Sequence, residues 1–248
     1  MALRHHEIAE ARSRVLNPFT DEKLRLLGEV TAPAPGARVL DLACGKGELL
    51  ATWARDLGVT GVGVDISGVF LEAARERAAE LGVAERLHFE RGDAAAHEAE
   101  PGGFDVVSCL GATWIGGGLT GTLELMRPAL RPDGTLLVGE VYWRSEPSDE
   151  ACSALDMEPD DYADLAGTNG RFEAAGLELV EMVLADPDSF DRYFASQWRT
   201  ISDWLRAHPD HPDAPDMRDF LRHARGTHLA HGRDVLGWGA FVLRPAGA

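Results

Sequence analysis

The 248-residue sequence is poor in cysteine, in basic residues and in long apolar runs. Its three cysteines, Cys44, Cys109 and Cys152, do not describe a disulfide framework, and no CxxC pair suggests zinc. No stretch approaches the length of a membrane span. The polar N-terminus MALRHHEIAEARSRV has no apolar signal core, so a reducing, cytoplasmic setting is expected. Lys and Arg number 24 against 41 Asp and Glu, for a net charge of -17. Such a surface repels phosphate backbones and anionic membrane faces, so nucleic acid and membrane are not expected partners. The nine histidines form no HxH or HExxH pattern, so no metal is expected. No internal repeat or low-complexity segment is visible.

What remains is an ordinary globular composition, 45% hydrophobic and 26% charged, on a chain long enough to bury a core without staples. Residues 3–30 read as one or two amphipathic helices broken at Asn17-Pro18, with Thr20 capping a restart. The Pro- and Gly-rich stretch 32–36 separates this N-terminal helical cap, residues 1–31, from a domain over 32–248. Strand and helix patterns then alternate: strands at 38–43, 61–65, 87–90, 104–110 and 135–140, with helices between them and Arg131-Pro132-Asp133-Gly134 as a turn. Alternation of this kind predicts a parallel sheet with helices on both faces. A helix over 160–175, a sixth strand over 177–184 and a last strand over 239–243 are expected after it. The mostly helical stretch between these two strands, residues 186–234, reads as a lid insertion interrupted near His208 to Asp213.

Chemistry concentrates at the strand ends. Asp41-Leu42-Ala43-Cys44-Gly45-Lys46-Gly47 lies where the first strand becomes a helix, so a ligand there meets free backbone N–H groups. Gly45 and Gly47 permit a sharp turn and close approach. Asp65 closes the second strand, next to Ile66, where a carboxylate can accept from both hydroxyls of a ribose. Gly92-Asp93-Ala94 follows the third strand, in place for an adenine, and Leu110 ends the fourth. A dinucleotide site prefers G-x-G-x-x-G, but the third position is Leu50, and Asp41 adds negative charge beside a would-be pyrophosphate. S-adenosylmethionine instead carries an ammonium and a sulfonium, which a carboxylate favours.

At these residues the sequence resembles the class I S-adenosylmethionine-dependent methyltransferases. Residues 39–47 look like their first motif, and 63–67, 92–94, 104–107 and 130–135 match the later motifs in order and spacing. The resemblance implies a Rossmann-like doubly wound α/β fold, a seven-stranded sheet of order 3-2-1-4-5-7-6 with the last strand antiparallel. It also implies S-adenosylmethionine as cofactor and S-adenosylhomocysteine as product. The cofactor residues it implies are Asp41, Ala43, Gly45, Gly47, Asp65, Ile66, Asp93, Ala94 and Leu110. Segments such as His5-His6-Glu7-Ile8, Asn17-Pro18-Phe19-Thr20 and residues 111–118 resemble a narrower bacterial small-molecule subgroup of similar length.

The acceptor site is expected after strands four and five, in the N-terminal helix and in the lid. Glu140 and Tyr142 after strand five are candidate catalytic groups, Glu140 as a base or an amine partner. His5 and His6 are candidate bases on a helix that closes over the cofactor. Trp114, Trp143, Tyr193, Gln197 and Trp198 are candidate acceptor contacts, although an aromatic stripe at helical spacing is more often packing. The expected activity is methyl transfer to O, N or an activated carbon of a small molecule, with an aromatic or indole-like acceptor as a refinement, by a monomer or homodimer. The alternative is a regulatory protein that binds S-adenosylmethionine or S-adenosylhomocysteine without transfer.

Overall fold

Short apolar strands with buried residues on both faces need helices above and below, and the chain supplies them. A computed structural model describes residues 3–247, so the first two residues of the expected cap and Ala248 lie outside the described residues. The strands are β1 (Arg38–Leu42), β2 (Thr60–Asp65), β3 (Leu87–Arg91), β4 (Phe104–Leu110), β5 (Leu130–Trp143), β6 (Leu177–Leu184) and β7 (Leu236–Pro245). They form one sheet in the order β3-β2-β1-β4-β5-β7-β6, and β7 runs antiparallel to both neighbours. The strand order reverses at β1 and β4, which pair through Val39 with Val106 and Asp41 with Ser108. Ligands of such sheets bind where that reversal opens a crevice at the carboxyl ends.

One face of the sheet is covered by α2 (Asp21–Thr31), α3 (Glu48–Asp56) and α4 (Gly68–Glu80), with Trp53, Leu50 and Leu71 buried between helix and strand. The other face packs against α5 (Leu119–Met126) and, beyond α6 (Asp149–Leu155), α7 (Leu165–Ala174), where Phe172 meets Phe241 at 5.3 Å. Local chemistry sets the helix starts. The Thr20 hydroxyl accepts from Lys23 N, Ser67 from Phe70 N, Ser148 from Ala151 N and Asp164 from Gly167 N.

Four expectations about extent are corrected. The helix expected over 160–175 begins only at Leu165, because the preceding backbone is used elsewhere. Arg171 binds the carbonyls of Asp160 and Asp161, and Trp143 N donates to Ala163 O. The fifth strand extends to Trp143, since Leu136 through Trp143 pair without a break against Leu243 through Leu236. The same pairing lengthens the last strand beyond 239–243. The residues 131–134, expected as a turn, lie within β5 as a bulge between Leu130 and Thr135, with 131–133 exposed and Gly134 buried.

The stretch between β6 and β7 folds as α8 (Pro187–Ala207) and α9 (Ala214–Thr227), followed by a π-helical turn at His228–Gly232. Asp186 caps α8 and Pro187 opens it. The first helix, α1 (Leu3–Ala9), docks on this pair. Ile8 and Ala9 pack with Ile201, Met217 and Leu221 in a satellite core separate from the two sheet faces. Burying aliphatic side chains of this kind contributes about 1.5–3 kcal/mol each.

Candidate active site

The glycine bend after β1 holds three left-handed residues within five positions. Ala43, Gly45 and Gly47 all have positive φ, at 57°, 55° and 65°, and α3 starts immediately after. A left-handed alanine costs about 1–2 kcal/mol, strain of the kind that collects at functional sites. Gly47 is glycine for packing as well as for its φ. A Cβ there would sit 2.7 Å from the Phe89 ring and 2.9 Å from Ala74. At Gly45 the space belongs to Leu16, whose Cδ1 would lie 2.7 Å from a Cβ.

Asp65 ties the bend to β2. Its Oδ2 accepts from Gly45 N at 2.8 Å and its Oδ1 from Ser67 N at 2.8 Å. Burial raises its pKa, while the two N–H groups and the nearby His6 hold it down. A carboxylate has about four acceptor directions, so Asp65 keeps capacity for further donors. Asp41, below the bend, accepts from Ser108 Oγ at 2.6 Å. Burial pushes its pKa up to about 7, with Asp65 adding to the rise. Ile66 is 57% exposed beside this acid, Ala94 is buried and Leu110 is half-buried. Asp93 caps its own turn, accepting from Ala95 N at 2.9 Å.

Glu140 lies near the carboxyl end of β5 and is only 5% exposed. It accepts from Val141 N at 2.9 Å and from Thr113 Oγ1 at 3.3 Å, and burial pushes its pKa up to about 7. Tyr142, two residues on and therefore on the same face, packs against Gly237, where a Cβ would fall 2.3 Å from the ring. Trp143 faces the opposite way. Its Nε1 donates to Pro159 O at 2.9 Å and its ring meets Tyr162 edge-on at 5.8 Å. Trp114, on the turn after β4, is 74% exposed.

The N-terminal segment runs across these strand ends. His6 meets Phe70 edge-on at 5.3 Å, and burial lowers its pKa against the pull of the Asp65 carboxylate. Its neighbour His5 turns away, 6.4 Å from Phe220 of α9, so the two histidines do not converge. Glu7 accepts from Ser67 Oγ at 2.7 Å. Lys46 Nζ donates to three carbonyls of the segment, Glu10 O at 2.7 Å, Ala11 O at 3.1 Å and Ser13 O at 2.7 Å. On α8, Tyr193 donates to Leu16 O at 3.1 Å and Gln197 Nε2 to Glu10 Oε1 at 2.8 Å. Trp198 sits between the satellite core and the His228 ring, 5.5 Å away.

Sequence reasoning missed three residues here. Glu10 is fully buried, Lys46 was quoted in the bend without a role, and His228 is buried 4.4 Å from Phe194 with its Nε2 2.9 Å from Asp191. Lys46 alone carried a local signal, its place between two glycines. The partners of Glu10 and His228 are 187 and 37 residues away. Among the described residues no group of three or more His, Cys, Asp or Glu is arranged to hold a metal ion. Among the described residues no helix is long and apolar enough to cross a membrane.

A doubly wound sheet of this order, with a left-handed glycine bend after β1 and a buried acid closing β2, defines a Rossmann-like nucleoside-binding enzyme, and the chain belongs to the S-adenosylmethionine-dependent methyltransferases. A family model described as a methyltransferase domain matches residues 39–134. A solved S-adenosylmethionine-dependent methyltransferase of Geobacter sulfurreducens, in complex with S-adenosyl-L-homocysteine, is 44% identical. It covers 98% of each chain, with a TM-score of 0.94. The protein YjhP of Escherichia coli is 45% identical over 240 residues, 95% of this chain and 96% of that protein. The ubiquinone/menaquinone biosynthesis C-methyltransferase UbiE of Ectopseudomonas mendocina is 31% identical over 191 residues. That match spans 73% of this chain and 63% of the UbiE chain.

Proposed function

We propose that this methyltransferase acts on a small-molecule acceptor, methylating O, N or an activated carbon, and that Glu140 takes up the acceptor's proton. One observation carries the reading: the Glu140 carboxyl, 5% exposed near the end of β5, has its pKa lifted to about 7. A base poised near the working pH combines a useful deprotonated fraction with a useful driving force. At that depth it is out of reach of a side chain on the surface of a folded macromolecule. Asp41 and Asp65 are equally deep, at 4% and 8% exposure. The names of UbiE and of the 43% identical ubiquinone biosynthesis O-methyltransferase of Ralstonia nicotianae, matched over 81 residues, favour a small acceptor.

The residues present suit the cofactor. Asp65 retains acceptor capacity for ribose hydroxyls, Ile66 offers an exposed apolar face beside it, and Asp93 with Ala94 borders the adenine position. The bend at Ala43, Gly45 and Gly47 presents backbone to the amino-acid end, with Asp41 and Leu110 beneath and beside it. When bound, S-adenosylmethionine supplies an electrophilic methyl group on sulfur. The protein's part is to align the acceptor with that carbon, exclude water and receive the proton. Glu140 does the last, and Thr113 Oγ1 and Val141 N orient its carboxyl. We assign residues 1–31 and 186–234 as one cover over the site, joined through the satellite core and through Arg12, which binds Asp203 at 2.5 Å. Trp114, at the exposed rim, and the α8 residues Tyr193, Gln197 and Trp198 border the acceptor space, while Tyr142 and Trp143 support β5 from its two faces.

The test is transfer of label from methyl-labelled S-adenosylmethionine to a bacterial metabolite extract. Label is expected in the low-mass fraction with wild type and lost with Glu140→Gln. Label confined to protein or nucleic acid would overturn the acceptor class, and full activity in Glu140→Gln would overturn the base.

A further inference from the structure

β5 outruns β4. Leu110, the last residue of β4, pairs with Gly139. From Glu140 to Trp143, β5 pairs with β7 on one side, and among the described residues no strand pairs with its other side. Two N–H groups on that open edge find other partners. Val141 N donates to Glu140 Oε1 at 2.9 Å, and Trp143 N donates to Ala163 O at 2.9 Å. Alternate N–H groups of a strand point the same way and stand about 7 Å apart. The Glu140 carboxyl and the Tyr162-Ala163 backbone are therefore neighbours along one edge, above the end of β4.

The segment that carries Tyr162 is fastened there. Trp143 Nε1 donates to Pro159 O at 2.9 Å, Arg171 to Asp160 O at 2.8 Å and to Asp161 O at 3.0 Å, and Glu158 N to Asp161 Oδ2 at 2.8 Å. It crosses the end of β5, for Met157 and Tyr162 pack on the sheet face that Trp53 covers and Leu165 packs on the opposite one. The Tyr162 ring meets Trp143 edge-on at 5.8 Å, so an indole that is itself held sets its direction.

Two oxygens remain open on this edge. Both donors to Glu140, Thr113 Oγ1 and Val141 N, use Oε1. Neither Glu140 Oε2 nor the Tyr162 hydroxyl has a hydrogen-bond partner among the described residues, and both keep accessible surface, unlike the sealed indole nitrogen of Trp53. Burial, then Glu140, then Asp161 push the Tyr162 pKa up to about 12. Glu140 thus outweighs the acid next to Tyr162 in the chain, as the shared edge requires. The phenol stays protonated at neutral pH and offers an O–H donor.

We propose that Tyr162 determines acceptor specificity, its hydroxyl donating to a lone-pair oxygen of the acceptor that lies within a few atoms of the group methylated. Resting on the reading of Glu140 as proton acceptor, Glu140 Oε2 faces the O–H or N–H to be methylated and Tyr162 faces the second oxygen. The acceptor class is an oxygenated small molecule held at two points. Tyr162 takes no part in bond making, and Trp143 and Arg171 are positioning residues that act through it.

The experiment feeds a dilution series of low-mass bacterial metabolite extract and methyl-labelled S-adenosylmethionine to wild type, Tyr162→Phe and Glu140→Gln. Tyr162→Phe keeps the ring on Trp143 and removes only a hydroxyl with no protein partner, so its melting temperature should match wild type. It should need about three- to tenfold more extract for half-maximal labelling and reach a plateau rate close to wild type. Glu140→Gln should lose the plateau. Mass spectra of the labelled products should show an oxygen near the methylated atom. Equal half-saturation in wild type and Tyr162→Phe, or a lowered melting temperature in the variant, overturns the role of Tyr162 and leaves Glu140 standing. Products without a second oxygen overturn the acceptor class. Full activity in Glu140→Gln, or no labelling by wild type, overturns the reading of Glu140 and the role of Tyr162 with it.

Discussion

Glu140→Gln should change how stability depends on pH. Burial holds the Glu140 pKa at about 7 against an ordinary 4.5. Below pH 4.5 the group is protonated in both folded and unfolded chains and carries no penalty. Between 4.5 and 7 the unfolded chain releases the proton while the folded chain keeps it, so stability falls as pH rises. Above 7 the loss is complete, about 3 kcal/mol at 1.36 kcal/mol per pH unit. About 1.4 kcal/mol of it is already lost at pH 5.5, so some 2 kcal/mol separates pH 5.5 from pH 8. Glutamine keeps an oxygen for Val141 N and Thr113 Oγ1 and cannot ionise. Relative to wild type, the variant therefore gains about 2 kcal/mol between pH 5.5 and pH 8, or about 4–8 °C in melting temperature for a chain of this size. Urea unfolding and thermal melts of both proteins at the two pH values measure it. Other titrations, Asp41 included, occur in both proteins and cancel in the difference. Parallel wild-type and variant profiles would refute the buried-acid account. The same ionisation makes turnover rise with pH and level off above about 7.

Asp65→Ala removes the acceptor from Gly45 N and Ser67 N as well as from a ribose. It should lower stability by about 2–4 kcal/mol and abolish S-adenosylhomocysteine binding by calorimetry, and a variant of wild-type stability would contradict the geometry. Lys46→Met frees three carbonyls of the N-terminal segment, so hydrogen exchange over residues 3–16 should accelerate severalfold while β1 through β5 stay protected. Gly47→Ala meets both a φ of 65° and the Phe89 ring, so its urea midpoint should fall by an amount equivalent to about 2 kcal/mol or more.

The part of the molecule legible in the sequence is the part built from local signals. The strands β1 to β4 announce themselves as short apolar runs between turns, and the bend 41–47 needs only its own glycines. The family pattern then supplied the strand order, including the antiparallel β7. The stretch 160–164 was misread because what breaks the helix there is Arg171 and Trp143 claiming its carbonyls. The contact of Asp65 with the glycine bend is legible for the same local reason, since Asp65 closes a strand and Gly45 opens a turn. The contacts of the N-terminal segment and of α8 are not. Glu10 with Gln197 and His228 with Asp191 are pairs between residues far apart in the chain, which no local spacing reports. His5 and His6, adjacent in sequence, are sent to different neighbours by the turn of one short helix.

The satellite core joins Ile8 to Leu221, residues from opposite ends of the sequence. During synthesis α1 leaves the ribosome well before α8 and α9, and the surface that shelters its apolar side exists only after α9 has been translated. Closing so long a loop is entropically the slow, late event of assembly. The strands β1 to β5 can therefore pair while the N-terminal segment and the α8–α9 pair are still apart, β7 joining only after α9, and a nascent chain has a period in which the crevice between β1 and β4 stands open.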